Sequence, residues 1–219
     1  AGHDIAYIKW DMNRNMTDVY SRVLPPERQG ETSYRYMLGL YDLLGRLTAD
    51  FPEVLFEGCA GGGGRFDAGM LYYCPQIWCS DDTDAIHRLK IQYGTSFGYP
   101  PCAMGSHVSA SPNHQTGRST LLSTRAVVAM AGAFGYELDL QKLTGDEKEM
   151  VKAQIVRCKQ LQPLLLEGRC ERLTNAVTDT CFTAWQLTAP DRGRAVVSVV
   201  VIDPQANPWP IHIRLRGLD

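Results

Sequence analysis

Short runs of consecutive apolar residues alternate with stretches in which apolar residues recur every three or four positions, and the alternation persists through most of the chain. Asp4 to Trp10 reads as a buried strand, followed by a polar stretch in which Pro25-Pro26 excludes a helix. From Ser33 to Asp50, Met37, Leu40, Leu44 and Leu47 fall at helical spacing, and Pro52 stops the helix. Glu53 to Glu57 is the next strand. It runs directly into Gly58-Cys59-Ala60-Gly61-Gly62-Gly63-Gly64, and a glycine-rich turn after a buried strand suggests close approach of backbone to a ligand. Pro75 to Ser80 is a third strand; Asp82-Thr83-Asp84 then caps a helix bearing Ile86, Leu89 and Tyr93, with Gly94 beyond it. Ala103 to Ser109 is a fourth strand, with Pro112, Asn113 and His114 in the loop after it. A helix from about Thr120 to Val127 precedes the apolar run Val128 to Tyr136, which contains a fifth strand. Thr144-x-x-Glu147 is a capping box opening a helix to about Leu161, with Pro163 beyond.

After Pro163 the texture changes. Cys181 to Thr188 and Ala195 to Ile202 are rich in β-branched and apolar residues, and Ile211 to Arg216 alternates strictly, with turn signals at Pro190 to Gly193 and Pro204 to Pro210. This predicts a small antiparallel sheet beside an α/β part, with the boundary near residue 165. Repeated strand and helix alternation argues for parallel βα units in residues 1–165. Five such strands fall short of a (β/α)8 barrel, which takes ~250 residues. An incomplete barrel leaves Asp4 to Trp10 as a bare apolar edge. The chain, beginning abruptly at Ala1 inside a strand, is therefore expected to be the later part of a longer protein.

The 219 residues are 44% hydrophobic and 21% charged, an ordinary globular composition. A formal charge of −2 supplies no basic footprint, so nucleic acid is not an expected partner. There is no run of 18 apolar residues, and no membrane partner is expected. Seven cysteines at irregular spacing point to reduced thiols and a cytoplasmic setting. Cys74-x4-Cys79 lacks the second pair of a zinc pattern, and no metal or cofactor is expected. Asn15-Met-Thr17 matches a glycosylation acceptor, against which the cysteine usage argues.

Two aspartates end strand-like runs: Asp11 in Lys9-Trp10-Asp11 and Asp81 in Trp78-Cys79-Ser80-Asp81. In a parallel sheet such positions lie at the carboxyl rim, where α/β folds keep their chemistry. A pair of carboxylates there is the equipment of glycosidic bond cleavage. For any one aspartate the commoner role is a surface turn. Lys9 shares a strand face with Asp11, and an ammonium there favours the charged form a nucleophile needs. Asp81 is crowded by Asp82 and Asp84, and like charges favour a proton somewhere in the group. Asp82 and Asp84 are read as helix caps, yet the spacing alone leaves Asp81 and Asp82 both open as the proton donor. Trp10 and Trp78 suit either core packing or stacking on a sugar. Gly61 to Gly64 has no Lys-Ser/Thr after it and is not a phosphate loop. His107 and His114 lack a nucleophile elbow and are read as hydrogen-bonding loop residues.

The words Lys9 to Arg14, Cys59 to Asp67, and Trp78 to Ala85 followed by Arg88 to Gly94 resemble the α-galactosidases of glycoside hydrolase family 36. So do His107-Val108-Ser109, Pro112 to Arg118 and Phe134 to Leu140. The resemblance runs from about Tyr7 to Leu143. It implies the last five strands of a (β/α)8 TIM barrel in residues 1–165, followed by a small antiparallel β-sandwich domain in 166–219. It implies Asp11 as nucleophile and Asp81 as acid/base of a retaining hydrolase that removes terminal α-D-galactosyl residues from raffinose-type oligosaccharides. Lys9 and Asn13 resemble galactose-binding residues, Cys59 and Gly62 resemble positions lining the 2-hydroxyl side, and Trp78 is taken as a further sugar contact. No cofactor is implied, and family members are often homotetramers. The family's N-terminal β-sandwich and first three barrel strands have no counterpart in these residues. The alternatives are a non-catalytic sugar-binding remnant and a galactosyltransferase with the same catalytic pair.

Overall fold

The computed structural model describes residues 3–13 and 17–218, in two compact units that divide between Asp81 and Asp82. Asn15 and Met16 of the acceptor triplet lie outside the described residues. The first unit contains β1 (Tyr7–Asp11), α1 (Thr32–Asp50), β2 (Leu55–Cys59), α2 (Ala68–Tyr73) and β3 (Gln76–Trp78). The strands are parallel, with Tyr7 opposite Leu55, Asp11 opposite Cys59 and Glu57 opposite Gln76.

Side-chain alternation sorts these strands into two faces. Ile8, Trp10, Phe56 and Ile77 join Leu40, Leu44, Met70 and Cys74 in one apolar cluster against α1 and α2. Burial of each large side chain there contributes about 1.5–3 kcal/mol. Tyr7, Lys9, Glu57 and Gln76 take the opposite face and contact one another. β2 begins two residues later than the pattern predicts, because the turn after Pro52 consumes Glu53 and Val54. The short α2 is not predicted by periodicity. Its start is marked by Asp67, whose carboxylate accepts from the Met70 amide at 2.9 Å.

The second unit contains α3 (Ala85–Thr95), β4 (Met104–Ser109), α4 (Leu122–Ala129), β5 (Ala133–Glu137), α5 (Gly145–Glu167), β6 (Arg169–Arg172), β7 (Phe182–Thr188) and β8 (Ala195–Val201). β4 and β5 are parallel, Gly105 facing Ala133 and Ser109 facing Glu137. β6, β7 and β8 form a separate antiparallel sheet. Ala85, Leu89 and Val128 pack with Val200 and Trp185, joining α3 and α4 to that sheet. Within this unit the pattern is an α/β pair of strands followed by an antiparallel sheet.

Several local expectations need correction. Gly94 lies inside α3, not beyond it. The helix opened by the Thr144 capping box is present, but it runs through Pro163 to Glu167 rather than ending near Leu161. Proline removes one amide donor and does not forbid the helical turn that follows; buried Leu164 anchors that turn, and its carbonyl accepts from Gly168 at 2.9 Å. Ile211 to Arg216 is not a strand. The fully buried Gln186 side chain bonds both backbone groups of Arg216, donating to its carbonyl at 2.6 Å and accepting from its amide at 3.2 Å, so a side-chain amide stands where a strand ladder was expected. Three of the four β6 residues, Arg169, Glu171 and Arg172, are charged, so the strand has no signal in the apolar pattern. His107 lies within β4, as the strand read from Ala103 to Ser109 places it, so its hydrogen-bonding role is not that of a loop residue; its Nδ1 is 3.9 Å from Glu137 Oε2.

The loop after β4 is tied to the start of α3 through Asp84. Its carboxylate, 1% exposed, caps the Ile86 and His87 amides and accepts from Thr116 Oγ1 at 2.6 Å and Arg118 Nη1 at 3.1 Å. Arg125, buried in α4, donates to the Thr120 carbonyl at 3.0 Å and also to that of Ser109. Burial alone pushes the Asp84 carboxyl upward, but the Thr116 hydroxyl, the His87 amide, Arg118 and the Ile86 amide outweigh it and leave it below the usual carboxylate range. Asp84→Ala is expected to lower the unfolding free energy at pH 7 by about 3 kcal/mol, the sum of a lost cap and a lost charge-assisted hydrogen bond. A lowered folded value means the ionised form's contribution is present above the unfolded value of about 3.9 and is lost as pH falls through the folded one. Urea unfolding should therefore show the gap between the wild-type chain and Asp84→Asn narrowing below about pH 4.

Candidate active site

The first unit delivers the carboxyl ends of three parallel strands to one rim. Asp11 closes β1 and stands opposite Cys59, which closes β2. The ladder continues one step further, the Met12 amide donating to the Cys59 carbonyl at 3.0 Å. Trp78 closes β3, and Asp81 follows it in the next turn; Asp11, Asn13 and Asp81 are all exposed to solvent.

The chain leaving β2 winds back on itself. The Ala60 amide donates to the Gly62 carbonyl at 3.1 Å, and Gly61 and Gly62 both have left-handed backbone, at φ 56° and 74°. The Gly61 amide donates to Asn13 Oδ1 at 2.6 Å, which fixes which end of the Asn13 side-chain amide faces the loop. Arg65 Nη2 donates to the Met12 carbonyl at 3.0 Å and clamps the chain after β1 from the other side. A Cβ on Gly62 would lie 2.8 Å from both the Asp81 amide nitrogen and Ser80 Cα. Gly62 therefore approaches the protein's own backbone closely at the bend that bears Asp81.

Cys59 links these parts. Burial pushes its thiol up to about 11; the Gly62 amide hydrogen bond pulls it down, while its hydrogen bond to the Asp11 carboxylate raises it further. At neutral pH it is a protonated thiol that donates to Asp11, not a nucleophile. Lys9 shares the Asp11 face, as the spacing predicts, and its ammonium has partners the spacing did not reveal: Glu57 Oε1 at 3.5 Å and the Trp78 ring at 4.4 Å. Trp78 is buried beneath the rim, whereas Trp10 packs into the apolar cluster on the opposite face.

In the second unit, Asp82 Oδ1 accepts from the Asp84 amide at 3.0 Å and Oδ2 lies 2.8 Å from His87 Nδ1. Both oxygens serve the start of α3, as the capping reading predicts for Asp82 and Asp84. The sequence reading missed Glu57, fully buried on the rim side of β2, and Gln76 beside it. Its detectable signal is a carboxylate in the middle of an otherwise apolar strand, in phase with Cys59.

Residues 1–168 match the family model described as melibiase. The chain belongs to that family. Members similar to it include Alpha-galactosidase 1 of Pediococcus pentosaceus, 54% identical over 215 residues, and Alpha-galactosidase AgaA of Geobacillus stearothermophilus, 53% identical over 219. These alignments cover 98% and 100% of this chain but 29% and 30% of the relatives, so it spans less than a third of their length. The crystal structure of the GH36 α-galactosidase AgaA matches with a TM-score of 0.95 at 54% identity, over 98% of this chain and 30% of that one. Variants of AgaA have also been solved in complex with raffinose and with stachyose. Among the described residues, no helix is long and apolar enough to cross a membrane.

The two left-handed glycines separate backbone strain from steric contact. A Cβ at Gly61 meets nothing within 4 Å, so Gly61→Ala should cost only the left-handed penalty of about 1–2 kcal/mol. Gly62→Ala carries the same penalty plus the clash with Ser80 and Asp81. Urea unfolding of the two variants should show Gly62→Ala the less stable by at least about 1 kcal/mol.

Proposed function

We propose that this chain supplies both catalytic carboxylates of a retaining α-galactosidase that removes terminal α-D-galactosyl residues from raffinose-type oligosaccharides. The observation that carries the reading is the Cys59 to Gly62 turn. At one end its thiol donates to Asp11, and at the other its glycine lies against the backbone of Asp81. One short segment thereby touches both carboxylate-bearing stretches, as double displacement requires of two groups serving one anomeric carbon.

In the first step the Asp11 carboxylate attacks C1 from the β face as Asp81 donates its proton to the glycosidic oxygen, and the C1–O bond breaks. The product is a β-galactosyl ester of Asp11 and a free leaving sugar. Asp81, now ionised, takes a proton from water as that water attacks C1 and displaces Asp11, so the configuration at C1 is retained. The Cys59 thiol orients Asp11 and stabilises its charge between turnovers. Lys9 and Asn13 bind galactose hydroxyls, Cys59 and Gly62 line the 2-hydroxyl side, and the Trp78 indole, buried beneath the rim, acts on the sugar through the Lys9 ammonium that it backs. The two carboxylates supply nucleophile, acid and base between them.

The substrate class is supported by the raffinose and stachyose complexes of the AgaA variants. Family membership over residues 1–168 supports residues 1–165 as the later part of a (β/α)8 barrel, and the three-stranded antiparallel sheet of β6, β7 and β8 supports residues 166–219 as part of a C-terminal antiparallel β-sandwich domain. Cysteine usage supports a cytoplasmic enzyme, and the family resemblance supports a homotetramer.

A mechanism-based fluorosugar tests the assignment in the complete protein: the trapped peptide is expected to carry its label on Asp11. Asp11→Ala should lose hydrolysis, and added azide should restore turnover with release of the β-galactosyl azide, because the small anion enters where the carboxylate stood. A label on another residue, or azide without effect, would reassign the nucleophile.

A further inference from the structure

We propose that Glu57 is a positioning residue that holds the Lys9 ammonium in place for the sugar. This inference rests on the reading of Lys9 as a galactose contact.

Glu57 sits at the centre of β2 on the rim side of the sheet, and its side chain has no exposed surface. A carboxylate withdrawn from water is strongly penalised unless charge and hydrogen bonds compensate it. Both kinds of partner are present. Oε1 lies 3.5 Å from Lys9 Nζ, and Oε2 accepts from Gln76 Nε2 at 3.3 Å. Gln76 Nε2 in turn reaches the Tyr7 hydroxyl at 3.4 Å. The parallel register builds this group, since Lys9 faces Glu57 on one side and Gln76 faces it on the other.

The pair is asymmetric, which separates a positioning device from a filler of the interior. The Lys9 side chain keeps 33% of its surface while Glu57 keeps none, so the carboxylate anchors from below an ammonium that still reaches the rim. The Trp78 ring, 4.4 Å from Nζ, brackets the ammonium from the side. Lysine is a point charge on a flexible stem with three rotating donors. Directing one of them toward Glu57 aims the remaining two away from the strand, where hydroxyl oxygens of the sugar would accept. With Glu57 neutralised, the ammonium loses its fixed counter-charge and becomes free to fold onto Asp11, two residues along the same face.

The test is a double-mutant cycle in the complete protein with raffinose as substrate. Glu57→Gln keeps the shape and the hydrogen bond from Gln76 while removing the charge. It is expected to raise KM about tenfold, with a smaller change in kcat, and to add less than about twofold in a Lys9→Met background. An unchanged KM in Glu57→Gln, or an effect equally large without Lys9, overturns the positioning role. A Lys9→Met variant with wild-type KM would instead overturn the reading of Lys9 as a sugar contact. Should Glu57→Gln fail to fold, Glu57→Asp keeps the charge but draws it back by one methylene. The same cycle then expects a smaller KM rise that disappears with Lys9→Met, and a rise that persists overturns the proposal.

Discussion

The site depends on the register of β1 against β2 and of β2 against β3. Side chains alternate along a strand, so a slip of one residue would turn Asp11 and Lys9 toward the helices and bring Trp10 to the rim. What forbids the slip is on the other face. Ile8, Trp10, Phe56 and Ile77 are packed among side chains of α1 and α2, and exchanging them for an aspartate and a lysine would cost far more than any rim contact could return. The chemistry on one side of the sheet is thus located by hydrophobic packing on the other.

Carboxylates in this chain are used in two distinct ways. Glu57 and Asp84 are withdrawn from water and surrounded by donors, an arrangement that orders the groups around them. Asp11 and Asp81 keep exposed surface at the ends of their segments, and Asp11 also accepts from the Cys59 thiol. Asp82 is intermediate, partly exposed but with both oxygens occupied by the start of α3.

That division explains which features could be read from the amino acids. The capping box at Thr144 and the apolar spacing of Leu40, Leu44 and Leu47 are local, and each is found where the pattern puts it, while the strand before Asp11 is present but begins at Tyr7 rather than Asp4. What the Asp82 oxygens bind is not local. It turns on His87, one helical turn away, and on the Asp84 amide, whose direction follows from how α3 begins. Glu57 was passed over because a charge inside a strand acquires meaning only when the register names its neighbours. The end of α5 and the Arg216 segment were misread for a related reason: buried Leu164 and buried Gln186 supply tertiary partners that override the rules for proline and for alternation.

Arg125 carries a consequence for the connectivity of the chain. One guanidinium reaches the carbonyls of Ser109 and Thr120, the two ends of the excursion between β4 and α4, and so clasps that excursion shut without a covalent bond. With the excursion cut, Ser109 and Thr120 would still share one side chain, but the two pieces would have to meet as separate molecules and give up translational and rotational freedom that the intact loop spares them. The covalent loop and the Arg125 clasp thus act together, the first keeping the two ends near one another and the second fixing where they meet.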